Sequence, residues 1–66
     1  MERLFIEAIK KFKREYKGKM MTKIWVAEAY SKYGKYDSAT FYVQYQDKKT
    51  GAYAEEETRI DVYIEK

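Results

Sequence analysis

The sequence predicts an α+β domain: an N-terminal amphipathic helix packed on a long, curved, three-stranded antiparallel sheet. Two observations carry this. The first 17 residues repeat their apolar side chains at helical spacing, and from residue 20 onward the pattern switches to a period of two, broken by two glycine-bearing turns. At 66 residues, the chain is read as one domain over 1–66, with the helix at about 2–17 and strands at about 20–33, 36–47 and 52–65.

In the helix, Met1, Phe5, Ala8, Ile9, Phe12 and Tyr16 form the apolar stripe, with Leu4 and Ile6 on its shoulders. Arg3, Glu7, Lys10, Lys11, Arg14 and Lys17 form the opposite face, and Glu7–Lys11 has the spacing of an i,i+4 ion pair. Glutamate comes early and lysine or arginine late, as the helix dipole favours. Gly18 suits the left-handed residue that ends a helix.

The first strand alternates Ile24, Val26 and Tyr30 against Trp25, Ala27, Ala29 and Ser31. Gly34-Lys35 suits a two-residue turn with glycine first. That turn sets Tyr33 opposite Tyr36, and therefore Ile24 opposite Tyr45, Val26 opposite Val43, Glu28 opposite Phe41 and Tyr30 opposite Ala39. The second strand turns Ala39, Phe41, Val43 and Tyr45 to the core. Asp47-Lys48-Lys49-Thr50-Gly51 reads as a hairpin loop, with Gly51 supplying the positive φ. The third strand ends in Ile60, Val62 and Ile64 alternating with Arg59, Asp61, Tyr63 and Glu65. Glu55-Glu56-Glu57 marks a β-bulge.

Lengths then suggest an assembly. A helix of 16 residues spans about 24 Å, whereas strands of 12–14 residues span about 40–45 Å. On this reading Ile60, Val62 and Ile64 lie beyond the helix, too apolar to stay bare. The expectation is a homodimer, with Trp25, Tyr42, Ile60, Val62, Tyr63 and Ile64 as its interface.

Composition narrows the chemistry. Cysteine, histidine, proline and asparagine are all missing, which removes disulfides, thiolate nucleophiles and the commonest general base and zinc ligand. Glu28 and Glu56 could face Phe41 from either side as a pair of carboxylates with raised pKa. A salt bridge or a bulge would remove that role, and the chain is read as no enzyme. Glu55-Glu56-Glu57 is a poor metal site because successive strand residues point to opposite faces. Neither cofactor nor small-molecule ligand is expected.

The net charge of +3 is unevenly placed: residues 1–19 carry seven Lys/Arg against three Glu, and residues 20–66 seven against eight acids. Lys10, Lys11, Arg14, Lys17 and Lys19 are therefore a candidate nucleic-acid face. The aromatics Trp25, Tyr42 and Tyr63 on the outer sheet face could stack on bases or contact a protein. No apolar run reaches the ~18 residues of a membrane span, and the charged start does not read as a signal peptide, so the cytoplasm (or an expression host) is the expected compartment.

The stretch Tyr42-Val43-Gln44-Tyr45-Gln46-Asp47-Lys48-Lys49-Thr50-Gly51, with the long strands around it, resembles the terminal hairpins of cystatin-like and nuclear-transport-factor-2-like folds. That resemblance implies a helix held in the concave face of a bent antiparallel sheet. It covers the hairpin and the order of elements alone, and no family pocket or functional residue comes with it. The chain also resembles de novo designed curved-sheet proteins in its missing residue types, its short connections and its lack of a site. The functional expectation is a scaffold, self-associating through its sheet. The alternative is a small natural module that binds nucleic acid or protein.

Overall fold

A computed structural model describes residues 2–32 and 35–64, with backbone alone for residues 32, 35 and 36. The order of elements is α1 (Glu2–Glu15), β1 (Lys19–Lys32), β2 (Lys35–Asp47) and β3 (Thr58–Tyr63). The strands form one antiparallel sheet in the order β1-β2-β3. The architecture is thus the α+β fold expected, with one helix on a three-stranded sheet.

Helix α1 buries Leu4, Ala8 and Phe12, three residues in a line at i,i+4 spacing. Leu4 is therefore the centre of the stripe rather than its shoulder, while Ile6 stays exposed. Gly18 ends the helical segment at φ 82°, a conformation that glycine adopts without strain. The Glu7–Lys11 pair does not form. Glu7 meets Lys10 at 3.7 Å, and Lys11 Nζ donates to the Asp61 carbonyl at 2.9 Å.

The pairing of β1 with β2 differs from the sequence-based register. Ile24 pairs with Val43, Val26 with Phe41, Glu28 with Thr40, Ala29 with Ala39 and Tyr30 with Ser38. Register shifts fall between Met21 and Lys23, between Val26 and Glu28, and between Tyr30 and Ser31. Thr22 and Ala27 are the extra residues on β1, and Asp37 is the extra one on β2. Each irregularity bends and twists the strand, which is how the sheet curves. The Ala27 bulge also reverses the alternation beyond it. Ala29 now shares the inner face with the buried Ala39, and Tyr30 stands exposed on the outer one. The turn expected at Gly34-Lys35, with Tyr33 opposite Tyr36, is not the one formed, because Lys35 already belongs to β2 and Tyr36 pairs with Ser31; residues 33 and 34 themselves lie outside the described residues. Beside them Lys32 pairs with Lys35.

The second turn follows expectation. Gly51 has φ 75°, and the Asp47 carboxylate accepts the backbone N–H of Lys49 at 2.8 Å and of Thr50 at 3.0 Å. An aspartate that holds the two residues beyond it is what makes Asp a turn former. Tyr53 then bridges Gln46, but the regular pairing restarts only at Thr58 with Val43. The excursion at Glu55–Glu57 absorbs two residues without advancing along β2, as a bulge there would.

That slippage decides where the third strand lies. Ile60 pairs with Phe41 and Val62 with Ala39, two positions nearer the loop than an unbroken ladder would put them. The 14 residues of α1 rise about 21 Å, and Ala39 to Tyr45 covers about 20 Å of strand, so the helix roofs this stretch. The core is Leu4, Ala8, Phe12, Ala39, Phe41, Val43, Ile60 and Val62. Ile60 and Val62 are 2% and 5% exposed, and Ile64 packs against the same cluster. The subunit interface expected at Ile60, Val62 and Ile64 needs correction: Ile60 and Val62 are core instead, because the bulge draws them under α1.

The part of the sheet that outruns the helix is the β1–β2 hairpin, in a molecule 45 Å long. None of the eight core residues comes from β1. The helix sits over β2 and β3, and the first strand is left at one side.

Candidate contact surface

The outer face of the sheet is built in rows, because directly paired residues share a face. Trp25, Tyr42 and Arg59 make one row, Glu28, Thr40 and Asp61 the next, and Tyr30, Ser38 and Tyr63 the third. Trp25 and Tyr42 lie with ring centroids 6.0 Å apart, and the Lys23 ammonium sits 5.3 Å from the Trp25 ring. Tyr63, 80% exposed, is two rows away on β3 and does not touch that pair.

Between the aromatics runs a polar network. Thr40, the one buried polar residue of the described chain, donates to Asp61 Oδ1 at 2.8 Å. Arg59 Nε reaches the same oxygen at 3.1 Å. The Thr40 hydroxyl first, and then Arg59, hold the Asp61 carboxyl below the usual carboxylate range, and Asp61 in turn raises Arg59. Tyr30 donates its phenolic proton to Glu28, whose carboxylate raises the tyrosine above its ordinary value. Glu28 is therefore an exposed hydrogen-bond acceptor on the outer face rather than a carboxylate against Phe41, and Glu56 is exposed in the bulge. The carboxylate pair expected around Phe41 does not form, since Val26 and Ile60 flank it. Among the described residues, no three acidic side chains converge to hold a metal ion.

The inner face differs along its width. Under the helix it is closed, and toward β1 it opens. Met21, Ile24 and Ala29 are half-buried against the core, while Val26 is 37% exposed; Met20, paired with Gln46, is 43% exposed. Strand β1 thus combines an unpaired edge, a partly bare inner side and Trp25 on its outer side.

Lys10 pairs with Glu7, Lys11 leans across to the Asp61 carbonyl, and Lys19 pairs with Asp47 at 2.9 Å. Arg14 is exposed, and Lys17 and Lys19 line a recess at the C-terminal end of α1. Arg59, Asp61 and Thr40 were missed as a network, because only the pairing between strands brings them together. Among the described residues no helix is long and apolar enough to cross a membrane.

Comparison of the chain with family models, with curated proteins and with solved structures finds no match.

Proposed function

We propose that the chain works by contact rather than turnover, as a scaffold that pairs with a second copy of itself along the open edge of β1. One observation carries the reading: α1 covers β2 and β3 and leaves β1 with a free edge and exposed apolar flanks, Met20 and Val26. An unpaired strand edge offers a row of backbone donors and acceptors to another strand. Two-fold antiparallel pairing is self-complementary, so one patch serves both copies.

The stretch between the two bulges, Lys23 to Val26, is the regular part of that edge. A dyad at Trp25 sets Ile24 beside the partner's Val26 on the inner side and the two indoles together on the outer side. It also leaves Lys23 diagonal to the partner's Glu28, opposite charges on neighbouring positions. The bulges keep the pairing short, which limits association to one partner instead of a growing sheet. A chain shaped for folding and assembly, designed origin included, also accounts for the missing cysteine, histidine, proline and asparagine.

Light scattering after size exclusion tests this. At tens of micromolar the expected mass is twice the 8.0 kDa of the chain, and Val26→Lys returns it to the single-chain value. A single-chain mass at every concentration overturns the reading.

A further inference from the structure

Where α1 ends and β1 begins, the helix has moved off the first strand and left a half-open recess of about 470 Å³. That volume falls in the ~300–1,000 Å³ range of small-molecule sites. Its apolar lining is Ile9, Phe12 and Tyr16 from the helical side, with Met20 and Met21 from β1. Its charged lining is Lys13, Lys17, Lys19 and Lys48, without an acidic residue. We infer that this recess binds a single-chain aliphatic anion, its hydrocarbon tail among Ile9, Phe12 and the methionines and its head group at the lysines.

Three features favour that occupant. First, the interior offers little polar chemistry: the Tyr16 hydroxyl is hydrogen-bonded to Thr58, so an entering body must be apolar. Met21, unbranched, polarizable and packed against the core, adapts to a flexible chain. Second, the rim charge is available. Lys19 is held by Asp47, but Lys13, Lys17 and Lys48 have no ion-pair partner among the described residues. Third, the walls of the recess are tied together: the Phe12 carbonyl accepts from Tyr16 N–H, the Tyr16 carbonyl from Lys19 N–H, and the Gly18 carbonyl from Lys48 N–H, which holds Lys48 beside the end of the helix.

Decanoate is the probe, followed by amide chemical shifts in the intact chain. Saturable shifts are expected at Gly18, Lys19, Met20, Met21 and Lys48, weakening as salt rises. The double variant K17Q/K48Q, both positions exposed, is expected to bind about tenfold more weakly with an unchanged circular dichroism spectrum. Acetate, which has the head without the tail, and decyltrimethylammonium, which has the tail with the opposite charge, should leave these signals in place. Absence of saturation by about 1 mM overturns the inference. So does equal binding of the cationic amphiphile, unchanged affinity in K17Q/K48Q, shifts centred on Trp25 and Tyr42, or binding to anionic vesicles alone.

Discussion

Ile60 pairs directly with Phe41 across β2 and β3, and both side chains are all but sealed beneath α1. Phe5 of α1 supplies part of that cover, its ring meeting Phe41 edge-on at 4.8 Å between centroids. The contact decides whether the last strand belongs to the fold of one chain or to an interface.

Ile60→Ala is therefore expected to lower the stability of the single chain. Truncating a fully buried isoleucine costs about 2–5 kcal/mol, a large share of the marginal stability of so small a domain. Urea unfolding should show the loss at every protein concentration. If Ile60 were an interface residue, the loss would vanish on dilution.

The pH dependence at the acidic end should trace to Asp47. Backbone N–H groups of Thr50 and Lys49, together with Lys19, hold its carboxyl at about 2, below the ordinary 3.8. The lowered folded-state pKa means that this contribution is complete above the ordinary value. It is lost as pH falls from 3.8 toward about 2. Asp61, lowered by Thr40 and Arg59, acts in the same direction. Thermal melts between pH 5 and pH 2 should flatten in Asp47→Asn, and flatten further when Asp61→Asn is added.

Gly18 and Gly51 have positive φ, and a β-carbon at either would meet nothing within 4 Å. Substitution there is a test of backbone strain alone. Gly51→Ala should destabilise the chain by about 1 kcal/mol, and Gly18→Asn by less than Gly18→Ala, since asparagine tolerates the left-handed region. Chemical denaturation of the three variants measures both differences.

Much of the fold was legible from local pattern. The helical stripe, the inner face of β2 and the Asp47–Gly51 turn each depend on residues close in sequence. The bulges at Thr22, Ala27 and Asp37 were not legible, because a bulge is a property of two strands together and leaves no residue type behind. Missing Ala27 put Glu28 on the wrong face and invented a carboxylate pair. The acidic run at Glu55–Glu57 did betray its bulge, yet the two-residue slip it introduces was not followed through to Ile60 and Val62. The recess at the end of α1 escaped for a related reason: no periodicity says over which strands a helix will settle.

Deleting Ala27 tests the bulge and the proposed edge together. Because Ala27 is the extra residue, its removal keeps Val26 with Phe41, Glu28 with Thr40 and Ala29 with Ala39 while restoring a regular ladder. The shortened chain should fold, with the Glu28–Thr40 cross-strand contact still visible in nuclear Overhauser spectra. Its first strand should be straighter, and the regular edge should extend from Lys23 to Tyr30. A longer, flatter edge pairs more readily, so association measured by light scattering should rise above that of the parent chain. In a strand without a bulge, the same deletion would swap the inner and outer side chains on one side of the gap, and the domain would lose its cooperative unfolding.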